Sequence, residues 1–137
     1  ISSERSYTFI IRFLGIFYAY FLLGLVLQWI FNPISASADF GFVFNELASD
    51  AQNALLRDFT SFFVATFIFS ILGAITLNPA WFFSAGIVYF GAGIFNLIAI
   101  YAHGTGFNQI FISEFILGAW PTALALTIIM KEQKISN

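Results

Sequence analysis

Apolar residues fall into four long runs along the chain, and the breaks between these runs are polar. A helix needs about 20 apolar residues, each rising about 1.5 Å, to cross the hydrocarbon core of a bilayer. The runs reach that length and predict spanning helices at about 9–31, 59–77, 80–102 and 110–130. We therefore expect one all-α domain over residues 1–137, an integral membrane four-helix transmembrane bundle, because the alternating short strands of a transmembrane barrel are missing.

Residues that stop helices mark the ends of the runs. Asn32 and Pro33 end the first span, and a Gly-Thr-Gly sequence at 104–106 follows the third. Asn78 and Pro79 predict a very tight turn between the second and third spans, with the proline at or near the first helical position. Consecutive spans joined in this way run in opposite directions.

One connection is long, from Ile34 to Leu56, and we expect an outward loop there between the first two spans. Residues 40–44 are rich in phenylalanine, which favours a position on the membrane surface or over the mouth of the bundle. Residues 45–56 predict a short separate helix, because Leu47, Ala48, Ala51 and Leu55 share one side of it.

Composition supports a membrane protein and excludes several functions. Hydrophobic residues make up 60% of the chain and charged residues 9%, against about 25% in ordinary soluble domains. The formal net charge of −2 leaves no basic surface for nucleic acid. The chain contains no cysteine, which excludes disulfides and thiolate chemistry. Nucleophile elbows, phosphate-binding glycine loops and paired metal-binding histidines are also missing, so we expect no enzyme of a recognisable class.

Basic residues predict how the bundle lies in its membrane. Arg5, Arg12, Lys131 and Lys134 lie near the two termini, whereas the connection between the first spans carries only Arg57. Because cytoplasmic segments carry an excess of Lys and Arg, we expect both termini to be cytoplasmic. The predicted location is a bacterial inner membrane, crossed several times.

Small and polar residues at helical spacing predict the faces that pack together, since they let membrane helices approach closely and hydrogen-bond. The predicted packing face of the third span consists of Gly86, Tyr89, Gly93, Asn96, Ile100 and His103. The corresponding residues are Glu114, Gly118, Pro121 and Ala125 in the fourth span, Thr66, Ser70 and Gly73 in the second, and Gly24 with Gln28 in the first.

Polar residues gather at the outward end and predict a pocket. Its members are Gln28, Arg57, Asp58, Asn96, His103 and Glu114. Glu114 lies about one turn inside its span, where an ionisable group either faces a partner or cavity or serves to anchor the helix start. Arg57 would either pair with Glu114, hold an anionic group, or extend to the headgroups. His103 would either pair with Glu114 or form a structural hydrogen bond at the turn.

The stretch from Asn53 onward resembles an uncharacterised family of small four-helix bacterial membrane proteins with a DoxX-like architecture. The resemblance rests on Ala54-Leu55-Leu56-Arg57 at the second span and Glu114-Phe115-Ile116-Leu117-Gly118 in the fourth. Asn96 stands near the Arg or polar residue that members carry in the third span, and His103-Gly104 takes the place of an Asp-Gly turn. The resemblance implies the fold, and the two departures imply an altered charged site.

Three functions remain open from the sequence. The first is an accessory or structural subunit that packs its aromatic faces against other membrane protein subunits. The second is a binding protein for a lipid, quinone or small solute, with an outward-facing pocket around Glu114, Arg57 and His103. The third is a pigment- or haem-associated protein with His103 as axial ligand. Membrane lipids are the expected partners in each case. We expect no metal site and no nucleic-acid partner.

Overall fold

Within residues 2–137, which the computed structural model describes, the chain is helical and contains no strand. The helices are α1 (Ser2–Phe31), α2 (Pro33–Ala38), α3 (Ser49–Thr76), α4 (Pro79–His103) and α5 (Ile110–Ser136), with a 3-10 turn at Phe44–Glu46. The helices α1, α3, α4 and α5 are long and apolar enough to cross a membrane. The predicted all-α class with four such helices is therefore confirmed.

The four long helices pack in chain order. α1 lies against α3, α3 against α4 and α4 against α5, whereas α1 meets α5 along only a short stretch. Successive long helices run antiparallel, so α1 and α4 stop at the same end at which α3 and α5 begin. We call this the acidic end, since Asp39, Asp58 and Glu114 lie there.

The predicted long loop between the first two spans is wrong, because helices occupy most of that segment. Asn32 follows the last residue of α1, and its side-chain oxygen accepts the Ser35 N–H at 3.4 Å and so caps α2. Pro33 begins α2, where its missing N–H is not needed. Gly41 turns the chain at a φ of 84°, which favours glycine. The proline that stops one helix thus starts the next.

The predicted separate helix at 45–56 is also wrong. Its second half forms the first turns of α3, which begins at Ser49 rather than near Phe59. The physical reason is that residues 42–72 contain neither glycine nor proline, so nothing interrupts the helix. Charged and polar residues interrupt the apolar run at Asn53 and Arg57, but they do not interrupt the backbone.

Phe40 joins the segment that connects α1 to α3, residues 32–48, to the bundle. Its ring lies 4.9 Å from that of Phe59 and 6.0 Å from that of Trp29, and Trp29 stacks on Phe59 at 4.7 Å. Phe42 and Val43 stay exposed. This aromatic contact packs the segment between α1 and α3 against the acidic end.

The predicted tight turn between the second and third spans is confirmed. Only Leu77 and Asn78 separate α3 from α4. Leu77 adopts a left-handed conformation with a φ of 55°, and its N–H donates to the Gly73 carbonyl at 2.9 Å. The Asn78 side chain accepts the Ala80 N–H at 3.1 Å, and Pro79 is the first residue of α4.

Glycines set the close contact between α4 and α5. A Cβ at Gly93 would lie 2.7 Å from Cε2 of Phe115, and a Cβ at Gly118 would lie 2.9 Å from the Phe90 ring. Each helix thus offers one glycine to a phenylalanine of the other. Gly86 lies in the same way against Thr122. This interlocking of small and large residues confirms the expected packing roles of these three glycines.

Phe82 plays the corresponding part at the other end of the bundle. It is fully buried, and its ring fills the space that a Cβ would need at Gly73 on α3 and at Gly15 on α1. Gly24, by contrast, is exposed, and a Cβ at that position would have no atom within 4 Å. The predicted packing role of Gly24 is therefore wrong, and Gly15 serves instead.

Candidate functional site

A cavity of about 490 Å³ lies among the four long helices at the acidic end. Its walls are mostly aromatic and aliphatic, and they include Phe21, Phe40, Phe59, Phe62, Phe63 and Tyr89. Three carboxylates line it as well, those of Asp39, Asp58 and Glu114. Each long helix contributes to the wall, so the cavity exists only in the assembled bundle.

Glu114 lies in the second turn of α5 and is half-buried. Its Oε2 accepts a hydrogen bond from Nδ2 of Asn96 on α4 at 3.3 Å. The same Asn96 amide lies 3.5 Å from Oδ1 of Asn108, which accepts the Phe111 N–H at 3.3 Å near the start of α5. Asn96 therefore ties the Glu114 carboxylate to the helix start, and the amide orients one carboxylate oxygen while the other keeps its acceptor capacity.

Asp39 reaches the cavity from the end of α2. Its Oδ2 accepts from Nε2 of Gln28 at 3.3 Å, and that amide also lies 3.4 Å from the Ser35 hydroxyl. Gln28 belongs to α1, so one neutral amide holds the connecting segment and the carboxylate in place. The arrangement repeats that at Glu114, where an amide on one helix orients a carboxylate on another.

Asp58 is placed differently, because it has a cationic partner. Nε of Arg57 lies 2.9 Å from its Oδ1, and both side chains are more than half exposed, at 63% and 65%. An ion pair so open to its surroundings contributes little to stability. Arg57 therefore pairs with its chain neighbour, and the predicted alternative of an Arg57–Glu114 pair is not formed.

A buried hydrogen bond forms part of the cavity wall. The hydroxyl of Tyr89 lies 2.7 Å from Oγ1 of Thr66, which joins α4 to α3. Thr66 Oγ1 also lies 3.1 Å from the carbonyls of Phe62 and Phe63. Because the threonine hydroxyl donates its one proton to a carbonyl, the tyrosine is the donor of the shared bond. Both hydroxyls are thus satisfied by protein groups.

A second buried contact closes the wall between α1 and α5. The Tyr18 hydroxyl donates to the Leu117 carbonyl at 2.6 Å. That carbonyl would ordinarily accept the N–H four residues later, but Pro121 stands there and has none. Tyr18 thus supplies the missing donor at a place where the two helices otherwise meet little. Leu117 itself lines the cavity.

The six residues predicted to form the polar pocket fall into four groups. Asp58 and Glu114 line the cavity, and Gln28 and Asn96 hold two of its carboxylates. Arg57 pairs with Asp58 at the rim. His103 is exposed at the end of α4, and the expected His103–Glu114 pair is replaced by Asn96.

Sequence reasoning missed Asp39 and the aromatic walls. Asp39 belongs to the predicted loop, and only the folding of that segment into α2 brings it to the cavity. A signal was available in Asn32-Pro33, which is as typical of a helix start as of a helix stop. The phenylalanines gave no such signal. The chain has 20 of them, and the sequence does not distinguish those that line the cavity from those on outer faces.

No metal site accompanies this cavity within residues 2–137, since no group of three or more His, Asp or Glu side chains in that range is placed to hold a metal ion. A hollow of about 680 Å³ is lined by α1 alone, from Glu4 to Ile16, so it is a groove on the surface of one helix. A smaller one of about 240 Å³ lies at the opposite end of the bundle, between α1, α5 and Leu77 of the turn that joins α3 to α4. The cavity at the acidic end is the one on which all four long helices converge.

Comparison with known proteins adds no relative. No family model matches the chain, and neither a curated protein nor a solved structure does so. The site therefore has to be interpreted from its own chemistry.

Proposed function

We propose that this protein is a membrane-embedded binding protein that holds one small apolar or amphiphilic molecule in the cavity at the acidic end. The observation that carries the proposal is the cavity itself, about 490 Å³ lined by all four long helices. Ligand sites are typically about 300–1,000 Å³, mostly apolar, and equipped with a few oriented polar groups. Glu114 and Asp39, each held by an amide, supply such groups.

The packing of the rest of the bundle supports this interpretation. Protein interiors are close-packed, so a space of this size between packed helices is unusual. Where α4 meets α5, the chain packs glycine against phenylalanine with no room for a methyl group. Ala92 and Leu117, which adjoin Gly93 and Gly118 in the chain, line the cavity on a different face of the same two helices. Helices that pack closely along one face and line open space along another can hold a ligand.

The proposal includes a membrane setting. Four helices that can cross a bilayer, with Lys and Arg concentrated at the termini, favour cytoplasmic termini and an acidic end that lies outside. The resemblance to small four-helix bacterial membrane proteins favours a bacterial inner membrane. A lipid, a quinone or a transported solute would then reach the cavity from the outer leaflet or the outer side.

Filling the cavity tests the proposal. Ala92 lines the cavity, whereas Ala119 is exposed on the outer face of α5, so Ala92→Trp and Ala119→Trp form a matched pair. Each purified variant in phosphatidylcholine nanodiscs is titrated with decanol by calorimetry, with empty nanodiscs subtracted. We expect the unmodified protein and Ala119→Trp to bind decanol with the same affinity and Ala92→Trp to bind at least about tenfold more weakly.

Thermal unfolding provides the control for folding. A tryptophan that fills an existing space should leave the unfolding temperature unchanged or higher, since it adds apolar contacts without removing any. If Ala92→Trp binds decanol as well as Ala119→Trp does, or if the unmodified protein shows no heat beyond that of empty nanodiscs, the cavity is not a ligand site.

A second function has a separate observation in its favour. Phe9, Phe13 and Phe17 form a continuous stacked row on α1, with ring centroids 6.1 Å and 6.3 Å apart, and each ring is more than half exposed. Such a row suits an accessory subunit that packs against another membrane protein. Purification in a mild detergent tests this function. Other chains that copurify with the unmodified protein but not with Phe13→Ala would support it, and a lone stable monomer would refute it.

A further inference from the structure

The charges around the cavity restrict the class of its occupant, on the condition that the proposed binding function is correct. Three carboxylates line it, and none of its lining residues is Lys, Arg or His. We infer that the occupant is an amphiphile with one cationic head, such as an organic ammonium group, on an apolar body. The head would lie between Glu114 and Asp39, and the body would lie among the aromatic rings.

Two of the three carboxylates have no cation to balance them. Asp58 is paired with Arg57, which is the one ion pair within residues 2–137. Glu114 and Asp39 accept hydrogen bonds only from the neutral amides of Asn96 and Gln28. Asp39 is exposed, but Glu114 is half-buried, and a carboxylate partly removed from water is costly unless a positive charge lies near it. A cationic ligand would supply that charge at the place where the protein supplies none.

The aromatic walls suit the same ligand. The faces of aromatic rings carry partial negative charge and attract ammonium groups within about 6 Å of the ring centre. Phe59 and Phe62 line the cavity on α3 next to Asp58, and Tyr89 faces them from α4. The rings of Phe62 and Tyr89 meet edge to face at 5.1 Å, so the aromatic wall joins α3 to α4.

Other classes of ligand fit less well. A bare metal ion needs several oxygen or nitrogen ligands within about 2–2.6 Å, and no group of three acidic or imidazole side chains within residues 2–137 converges in that way. A phosphate or carboxylate headgroup would meet carboxylates and no basic side chain. A neutral molecule would use the rings and leave Glu114 and Asp39 without a role. Charge complementarity therefore favours an organic molecule with one positive charge over a metal ion.

Three probes that share one tail separate these classes. Decyltrimethylammonium, decanol and decanesulfonate differ only in the head, which is cationic, neutral or anionic. Each is titrated by calorimetry into the full-length protein in phosphatidylcholine nanodiscs at low salt, with empty nanodiscs subtracted. We expect the cation to bind about tenfold more tightly than the alcohol, as for one partly buried ion pair, and the sulfonate to bind most weakly.

Removal of one charge locates the effect. Glu114→Gln keeps an oxygen that accepts from Asn96, so the variant loses the charge and retains the hydrogen bond. For Glu114→Gln, we expect the preference for the cation over decanol to fall below about threefold. Glu46→Gln is the matched control, because Glu46 is exposed in the 3-10 turn at the same end and does not line the cavity. Glu46→Gln should keep the full preference for the cation over decanol. Raised salt should reduce this preference in the unmodified protein and in Glu46→Gln.

The outcomes distinguish this inference from the function on which it rests. Equal binding of cation and alcohol, with both sensitive to Ala92→Trp, would leave the cavity as a ligand site and overturn the cationic occupant. Loss of preference in Glu46→Gln as well as Glu114→Gln would assign the effect to general surface charge and overturn it too. Binding of no probe above the nanodisc background would remove the proposed function and the inference together.

Discussion

A single proline decides the neighbourhood of Tyr18. Pro121 leaves the Leu117 carbonyl without its donor inside α5, and the tyrosine hydroxyl on α1 donates to it at 2.6 Å. A buried acceptor with no donor costs about 1–3 kcal/mol, so the hydroxyl and the proline depend on each other. Neither residue alone indicates this relation in the sequence, because the two lie on helices far apart in the chain.

The dependence predicts a specific pattern of stabilities. Tyr18→Phe should lower the free energy of unfolding by about 1–3 kcal/mol, because the Leu117 carbonyl loses its donor. In a Pro121→Ala background the new N–H at position 121 restores the bond within the helix, so Tyr18→Phe should then cost less than about 0.5 kcal/mol. Equilibrium unfolding in detergent of the four proteins in this cycle measures the difference.

A control separates loss of the hydrogen bond from loss of any hydroxyl. Tyr20 lies on the same helix but is 73% exposed, and Tyr20→Phe should leave stability within about 0.5 kcal/mol of the unmodified protein. Additive costs of Tyr18→Phe and Pro121→Ala would contradict the link between them.

At the scale of helices, two glycines of α4 that lie two residues apart differ in what they face. A Cβ at Gly93 would lie 2.7 Å from Cε2 of Phe115, whereas a Cβ at Gly91 would have no atom within 4 Å. Helix propensity favours alanine over glycine at both positions by about 1 kcal/mol. Packing therefore decides whether each alanine substitution raises or lowers the stability of the protein.

We expect opposite effects from the two alanine substitutions. Gly93→Ala should destabilise the protein by about 1–3 kcal/mol, because the Phe115 ring must move away from α4. Gly91→Ala should stabilise it by about 0.5–1 kcal/mol, since the added methyl meets no protein atom. Unfolding of both variants in the same detergent gives the comparison, and a destabilised Gly91→Ala would show that α4 is packed on a face that the structure leaves open.

The sequence predicted the long helices well because their apolar length and their stop signals agree. Asn78 and Pro79 end α3 and start α4 in both the prediction and the structure. The segment before α3 was predicted less well, because a polar stretch that continues a helix looks the same as a polar loop when only hydropathy is considered. At the site, Glu114 was predicted from its depth in the fourth span and Asp58 from its place at the start of the second, whereas Asp39 depends on how α2 folds back, which is a tertiary relation.

At the scale of the whole molecule, the distribution of basic residues predicts one orientation. The chain contains no cysteine, so single cysteines can report the side on which each end lies. We expect Thr105→Cys, in the exposed segment between α4 and α5, to react with a membrane-impermeant maleimide in intact cells. Ser136→Cys, at the end of α5, should react only after the membrane is opened.

The reciprocal experiment controls for reactivity. Both single-cysteine proteins should label fully in detergent, where no membrane protects either end. Labelling of Ser136→Cys in intact cells, with Thr105→Cys protected, would reverse the orientation and place the acidic end in the cytoplasm.

The turn between α3 and α4 has a consequence for how the protein enters its membrane. With only Leu77 and Asn78 between the two helices, there is no connecting segment long enough to stay on one side while α3 crosses alone. We therefore expect the two helices to insert into lipid as one hairpin, with its tip on the same side of the membrane as the two termini. Its direction of insertion is then set by the charges that flank α1 and α5, since the tip carries no charge of its own.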